Sequence, residues 1–206
     1  MEFTLAAHKS DSRGNRRYFT LASSPTEAET HLGVKFPNPS SSFKRDLLGL
    51  QPGSTLVAGQ LAGDFTLPRD QSKKLVFMAG GIGVTPFRSM LKYLSDRGEK
   101  RDIVLMYSNQ TRAEIAYKEI FEEAERQIGL KTIYALTNTH EAPSDLNGPV
   151  HLRRIDADMV QQEIPDYLQR LFYVSGTHAM TDALTQMLRG LGVPRAQIKT
   201  DFFPGF

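Results

Sequence analysis

The sequence predicts an α/β fold preceded by a smaller antiparallel β unit, and a change of texture near Pro68 carries that expectation. After Pro68, apolar runs, turns and amphipathic segments alternate, the pattern of a parallel sheet with helices on both faces. Before it, short β-prone runs are separated by Gly, Pro, Ser and Asn, as in antiparallel β structure. The expected division is residues 1–70 and residues 71–206.

In the first part, residues 3–7, 18–22, 34–36 and 55–58 read as strands, and a short helix is expected from near Ser42, with its hydroxyl as cap, to Gly49. In the second part, residues 75–79, 103–107, 132–136, 171–175 and 198–202 are strand-like. Residues 86–96 space Phe87, Met90, Leu91 and Leu94 on one helical face, and further helices are expected over 116–127 and 179–191. A sheet of this kind takes its ligand at the carboxyl ends of the strands, where the strand order reverses.

Composition excludes several classes. The 206 residues include no cysteine, so the chain can hold no disulfide, zinc-thiolate site or cysteine-ligated iron–sulfur cluster. Its five histidines, at 8, 31, 140, 151 and 178, include no pair at helical metal-ligand spacing, and no metal site is expected. A net charge of +2 gives no basis for a nucleic-acid partner. No apolar run reaches the roughly 18–20 residues of a membrane helix, and residues 1–10 lack a signal peptide's layout. The expected location is the cytoplasm, with attachment to the inner face of a membrane through a partner left open.

Two segments carry chemistry. Met78-Ala79-Gly80-Gly81-Ile82-Gly83-Val84-Thr85-Pro86 follows a strand and opens a helix. Glycines there let backbone approach a phosphate, the helix start offers free N–H groups to a pyrophosphate, and Thr85 can add a hydroxyl. A tight turn that binds nothing is the alternative. Along Arg17-Tyr18-Phe19-Thr20-Leu21-Ala22, strand alternation sends Arg17, Phe19 and Leu21 one way and Tyr18, Thr20 and Ala22 the other. Arginine, aromatic and hydroxyl suit a phosphate, a flat ring and a polar ring edge, although an ordinary strand could carry the same residues.

Together these segments resemble the ferredoxin-NADP reductase superfamily. Arg17-x-Phe19-Thr20 is similar to its flavin motif, and residues 79–86 to its nucleotide turn. Val174-Ser175-Gly176-Thr177-His178-Ala179-Met180 resembles its Cys-Gly-Pro segment, and Asp201-Phe202-Phe203 its acidic-x-aromatic ending. The four stand in the family's order, and the similarity runs from about Phe3 to the C-terminus. The resemblance implies a shortened FAD-binding barrel followed by an NAD(P)H-binding domain. It implies that Arg17 pairs with the FAD pyrophosphate, Phe19 lies on the isoalloxazine and Thr20 bonds near N5. Ser41 and Ser42 would lie under the phosphates, although Pro39 replaces the expected glycine. Gly80, Gly81, Gly83, Thr85 and Gly176 would meet the dinucleotide. Phe203 or the terminal Phe206 would cover the second flavin face, and Ser175 stands where a cysteine near the nicotinamide is usual.

The implied activity is hydride transfer from NAD(P)H to FAD, with electrons passed on to ferredoxin, flavodoxin or another acceptor. NADH is expected over NADPH, because Thr137-Asn138 stands where NADPH-specific relatives have serine–arginine, although Ser108 and Arg112 offer a competing phosphate contact. Only 16 residues precede Arg17, against three strands in the family barrel, so weak FAD binding, or a dimer or second chain completing the barrel, is expected. Two other readings stay open: a flavin-free nucleotide-binding or partner-docking module, and the detached reductase portion of a membrane electron-transfer protein.

Overall fold

A computed structural model of the chain describes residues 1–5, 11–12, 14–138 and 145–203, with only the backbone of Phe203. Six strands form a parallel sheet: β4 (Leu75–Gly80), β5 (Ile103–Asn109), β6 (Lys131–Leu136), β7 (Val150–His151), β8 (Leu171–Thr177) and β9 (Ile198–Phe203). Their order is β7-β6-β5-β4-β8-β9. The chain runs outward from β4 through β5 and β6 to β7 and then returns to place β8 on the other side of β4. The order therefore reverses between β4 and β8, and a crevice opens at their carboxyl ends.

The central strands are buried on both faces, so their sequences are continuously apolar rather than alternating. On one face Leu75, Phe77 and Tyr107 pack under α2 (Thr85–Arg97) and α3 (Lys118–Ile128), with Phe77 stacked on Phe87 at 4.6 Å. On the other, Val76, Met78 and Val174 pack under α4 (Ala157–Glu163) and α5 (His178–Gly190). Pro86 suits the first turn of α2, and Gly98 ends it in the left-handed region.

The preceding residues form a three-stranded antiparallel sheet of order β2-β1-β3, with β1 Glu2–Thr4, β2 Arg16–Tyr18 and β3 Val57–Gly59. Phe3 stands opposite Arg17 on one side and Ala58 on the other. That face covers Phe43 of α1 (Ser42–Leu48), completing a small core with Leu5. The opposite face leaves Tyr18 and Val57 exposed.

Four local expectations are corrected. Residues 34–36 are not a strand. The arginine strand ends at Tyr18; beyond it, the chain turns to pair Leu21 with Leu32 by a single bridge. Ser41, not Ser42, caps α1 by accepting from the Lys44 N–H at 3.3 Å, whereas Ser42 Oγ accepts from the Asp11 N–H at 3.0 Å. The third helix begins at Lys118 rather than at 116, because Tyr117 sits at φ 61°, which α-helical backbone excludes. Helix α4, capped by Asp156, and the short β7 were not anticipated, since seven and two residues carry little periodicity.

The two sheets are joined through α2. Arg88, almost wholly buried, donates to the Ala22 carbonyl at 3.0 Å and forms a two-pronged ion pair with Glu27, with Nη2 2.8 Å from Oε1. Ser89 Oγ donates to the Ser23 carbonyl at 2.7 Å, and Thr26 bonds Asp96. The arginine holds the Glu27 carboxyl down at about 2.

Candidate functional site

Three glycines shape the turn after β4, each for its own reason. A Cβ on Gly80 would meet Met180 Sδ at 2.0 Å. Gly81 has φ +51° with open space around it. A Cβ on Gly83 would fall 2.5 Å from the Ser175 carbonyl oxygen and 2.7 Å from Gly176 Cα, so the turn presses directly onto the end of β8. Residues Gly81–Val84 form a 3₁₀ turn leading into α2, and the first backbone N–H groups of such a helix start have no partner within the helix and suit an anion.

That crevice opens into a cleft of about 1280 Å³. Single-ligand pockets commonly measure roughly 300–1,000 Å³. The cleft is walled on one side by Arg17 of β2, Phe19 and Thr20 just beyond it, and Lys44 of α1. Facing them are Gly80, Gly81, Gly83 and Gly176 at the strand ends. Thus seven of the expected site residues meet here: Arg17, Phe19, Thr20 and the four glycines.

Arg17 lies on the Phe43 ring at 5.4 Å and donates to the carbonyls of Gly14, at 3.3 Å, and Arg16, at 2.6 Å; Asp11 is 3.5 Å away. Phe19 packs between Phe3 and Phe43, at 6.0 and 5.9 Å. Thr20 Oγ1 donates to Asp201 Oδ2 at 3.3 Å, and burial raises the Asp201 carboxyl above its usual range. Asp201 also lines the cleft.

Four expected residues stand behind the cleft wall. Thr85 is fully buried, donates to the Ile82 carbonyl at 2.7 Å and lies against Gly33. Ser175 is fully buried, and its hydroxyl has no partner among the described residues. Ser41 and Ser42 are spent on the start of α1 and on Asp11. The Phe203 backbone pairs with Thr177 at the end of β8, and Phe206 lies outside the described residues. The cleft residues that the sequence did not single out include Lys44, Met180 and Arg154. Met180 sits three residues into a helix and reads as a core position; neither cation had a motif around it.

Arg112 and Glu114 follow β5. Arg112 makes a two-pronged ion pair with Asp145, while Glu114 lines the cleft, accepts from the Gln110 N–H at 3.1 Å and lies 3.5 Å from Lys35. Among the described residues no group of His, Asp and Glu is placed to hold a metal, and no helix is long and apolar enough to cross a membrane.

A small antiparallel sheet set against a parallel six-stranded sheet, with a glycine turn at the reversal point facing both, defines the ferredoxin-NADP reductase-like class of fold. The chain belongs to the oxidoreductase NAD-binding domain family, whose pattern matches residues 77–186. Among curated proteins it is 26% identical over 189 residues to a flavohemoprotein of Bacillus subtilis, covering 91% of this chain and 46% of that protein. It is 26% identical over 160 residues to the reductase component of propane 2-monooxygenase from Rhodococcus jostii, covering 75% of this chain and 42% of that one. The chain thus spans about half the length of these relatives. The flavohem-like FAD/NAD-binding domain of nitric oxide dioxygenase from Vibrio cholerae shares the fold, with a TM-score of 0.77 at 20% identity over 98% of this chain and 82% of that one.

Proposed function

We propose that this chain is the flavin- and pyridine-nucleotide-binding part of an electron-transfer oxidoreductase, taking a hydride from NAD(P)H and passing electrons to a separate acceptor. The observation that carries this reading is the shared cleft: the Arg17–Thr20 segment and the Gly80–Gly83 turn wall one cavity, larger than a single ligand needs. The residues present fit FAD on one side and a dinucleotide on the other. Bound FAD would supply the hydride acceptor and both one- and two-electron chemistry.

The chain's own residues bind and orient. Arg17 and Lys44 supply positive charge for the FAD phosphates, and Phe19 offers a flat apolar wall. Thr20, oriented by Asp201, directs a hydroxyl at the ring edge. Gly80, Gly81, Gly83 and Gly176 let the dinucleotide approach backbone, and the aromatic of Phe203 or Phe206, whose side chains lie outside the described residues, would cover the second ring face. Ser41 and Ser42 act through α1, which presents Lys44; Thr85 and Ser175 act by holding the turn and strand end. The division near residue 70 separates the flavin part from the nucleotide part.

The acceptor is a ferredoxin, a flavodoxin or another redox partner; relatives named as reductase components of monooxygenases support a separate redox partner of this kind. The exposed outer face of the three-stranded sheet supports a second copy or another chain covering it. One observation favours a flavin-free nucleotide-binding module instead: the guanidinium of Arg17 already donates to the Gly14 and Arg16 carbonyls. Incubation with excess FAD, gel filtration and an absorption spectrum separate the readings. Retained yellow flavin that NAD(P)H bleaches anaerobically is expected; protein that stays colourless at saturating FAD would sink the oxidoreductase reading.

A further inference from the structure

The α/β side of the cleft is built mainly of backbone and neutral side chains. Among the described residues it contributes to the lining, Arg154 alone is cationic; the carboxylates of Glu114 and Asp201 and neutral polar, small or apolar residues supply the rest. Arg154 follows β7 in a tandem arginine pair whose members have different surroundings. Arg153 is paired with Asp156, the cap of α4. Arg154 is exposed and makes no hydrogen bond or ion pair with any described residue. Its backbone is nevertheless held in place, because the next residue, Ile155, is buried with Met159 and Val160 against α5.

We propose that Arg154 is a phosphate-binding residue of the nucleotide half of the cleft, pairing with a phosphate of the bound pyridine dinucleotide. This rests on the nucleotide-binding reading above and adds a charged contact to it. Backbone N–H groups at the glycine turn contribute only partial charges, whereas a dinucleotide brings two full negative charges, or about four with a 2′-phosphate. A guanidinium with its donors uncommitted is the group suited to those oxygens. Two sources share this chemistry, the pyrophosphate and a 2′-phosphate, and the choice of ligand distinguishes them.

The test is the affinity of the full chain for NADH and for NADPH by titration calorimetry, comparing wild type with Arg154→Ala, Arg154→Lys and Arg153→Ala. Arg154→Ala should weaken binding roughly tenfold to a hundredfold, Arg154→Lys should recover part of it, and Arg153→Ala should leave it unchanged despite the same loss of charge. An equal loss for both ligands assigns the pyrophosphate; a loss confined to NADPH assigns the 2′-phosphate. If wild type binds a dinucleotide and Arg154→Ala binds it as well, or if Arg153→Ala weakens it equally, the inference fails alone. If wild type binds neither, the nucleotide-binding reading fails and takes the inference with it.

Discussion

Thr20 Oγ1 donates to Asp201 Oδ2 at 3.3 Å across 181 residues of sequence, linking the end of the flavin-motif segment to the last strand of the parallel sheet. Burial outweighs this hydrogen bond and raises the Asp201 carboxyl. A raised carboxyl holds its proton longer in the folded state than in the unfolded one. Stability should therefore fall as pH rises from about 4, the ordinary aspartate value, through the raised native one. Asp201→Asn should melt higher than wild type at pH 7 and no higher at pH 3. A melting difference that is the same at both pH values would remove Asp201 as its source.

Glu27 gives the opposite sign. Its carboxyl lies at about 2, chiefly through the Arg88 hydrogen bonds, so its stabilisation is present above the unfolded value of about 4 and is lost as pH falls toward 2. Glu27→Gln leaves Arg88 buried without its carboxylate and should cost about 3 kcal/mol at pH 7. Urea melts at pH 7 and at pH 2.5 check this: the deficit should shrink at the acid end.

The glycines of the turn should differ when each is replaced by alanine. Gly83→Ala drives a methyl into the backbone of Ser175 and Gly176, and should cost roughly 1–3 kcal/mol while displacing the turn from β8. Gly81→Ala meets open space and costs only the left-handed conformation, about 1–2 kcal/mol. Gly80→Ala meets the flexible Met180 thioether and should be the mildest of the three if that side chain swings away. Chemical denaturation of the three variants tests the ranking.

Arg17→Ala should weaken FAD binding about tenfold or more, since the phosphates would lose a charge-assisted partner. Fluorescence titration of FAD reads this directly. An unchanged affinity would assign Arg17 to the Gly14 turn and Phe43 alone.

NADH should be preferred to NADPH. The arginine that competes with this expectation, Arg112, is engaged by Asp145, and the carboxylate of Glu114 faces the cleft. KM values for the two cofactors in the FAD-reconstituted protein decide it, and a lower KM for NADPH would overturn the preference.

The sequence by itself determined the class of fold and where the cleft would form. Fully buried parallel strands must be continuously apolar, and a strand entering a helix through a tight turn needs glycine; both constraints leave marks within a few adjacent residues. That is why β4, β5, β6 and β8 and the turn at Gly80–Gly83 were legible, whereas β9, an edge strand carrying Lys199, Thr200 and Asp201, shows no such run. What only the tertiary structure decided is which side chains face the cleft. Thr85 and Ser175 look like ligand contacts in sequence, yet helix packing and the sheet interior bury them completely. Arg153 and Arg154 are adjacent and chemically identical, but the carboxylate of Asp156 takes the first and leaves the second on the cleft wall. Glu27 and Arg88, 61 residues apart, form an ion pair between the first part of the chain and α2. Such contacts depend on where distant segments meet, and that is set by the packing of the whole chain rather than by local periodicity.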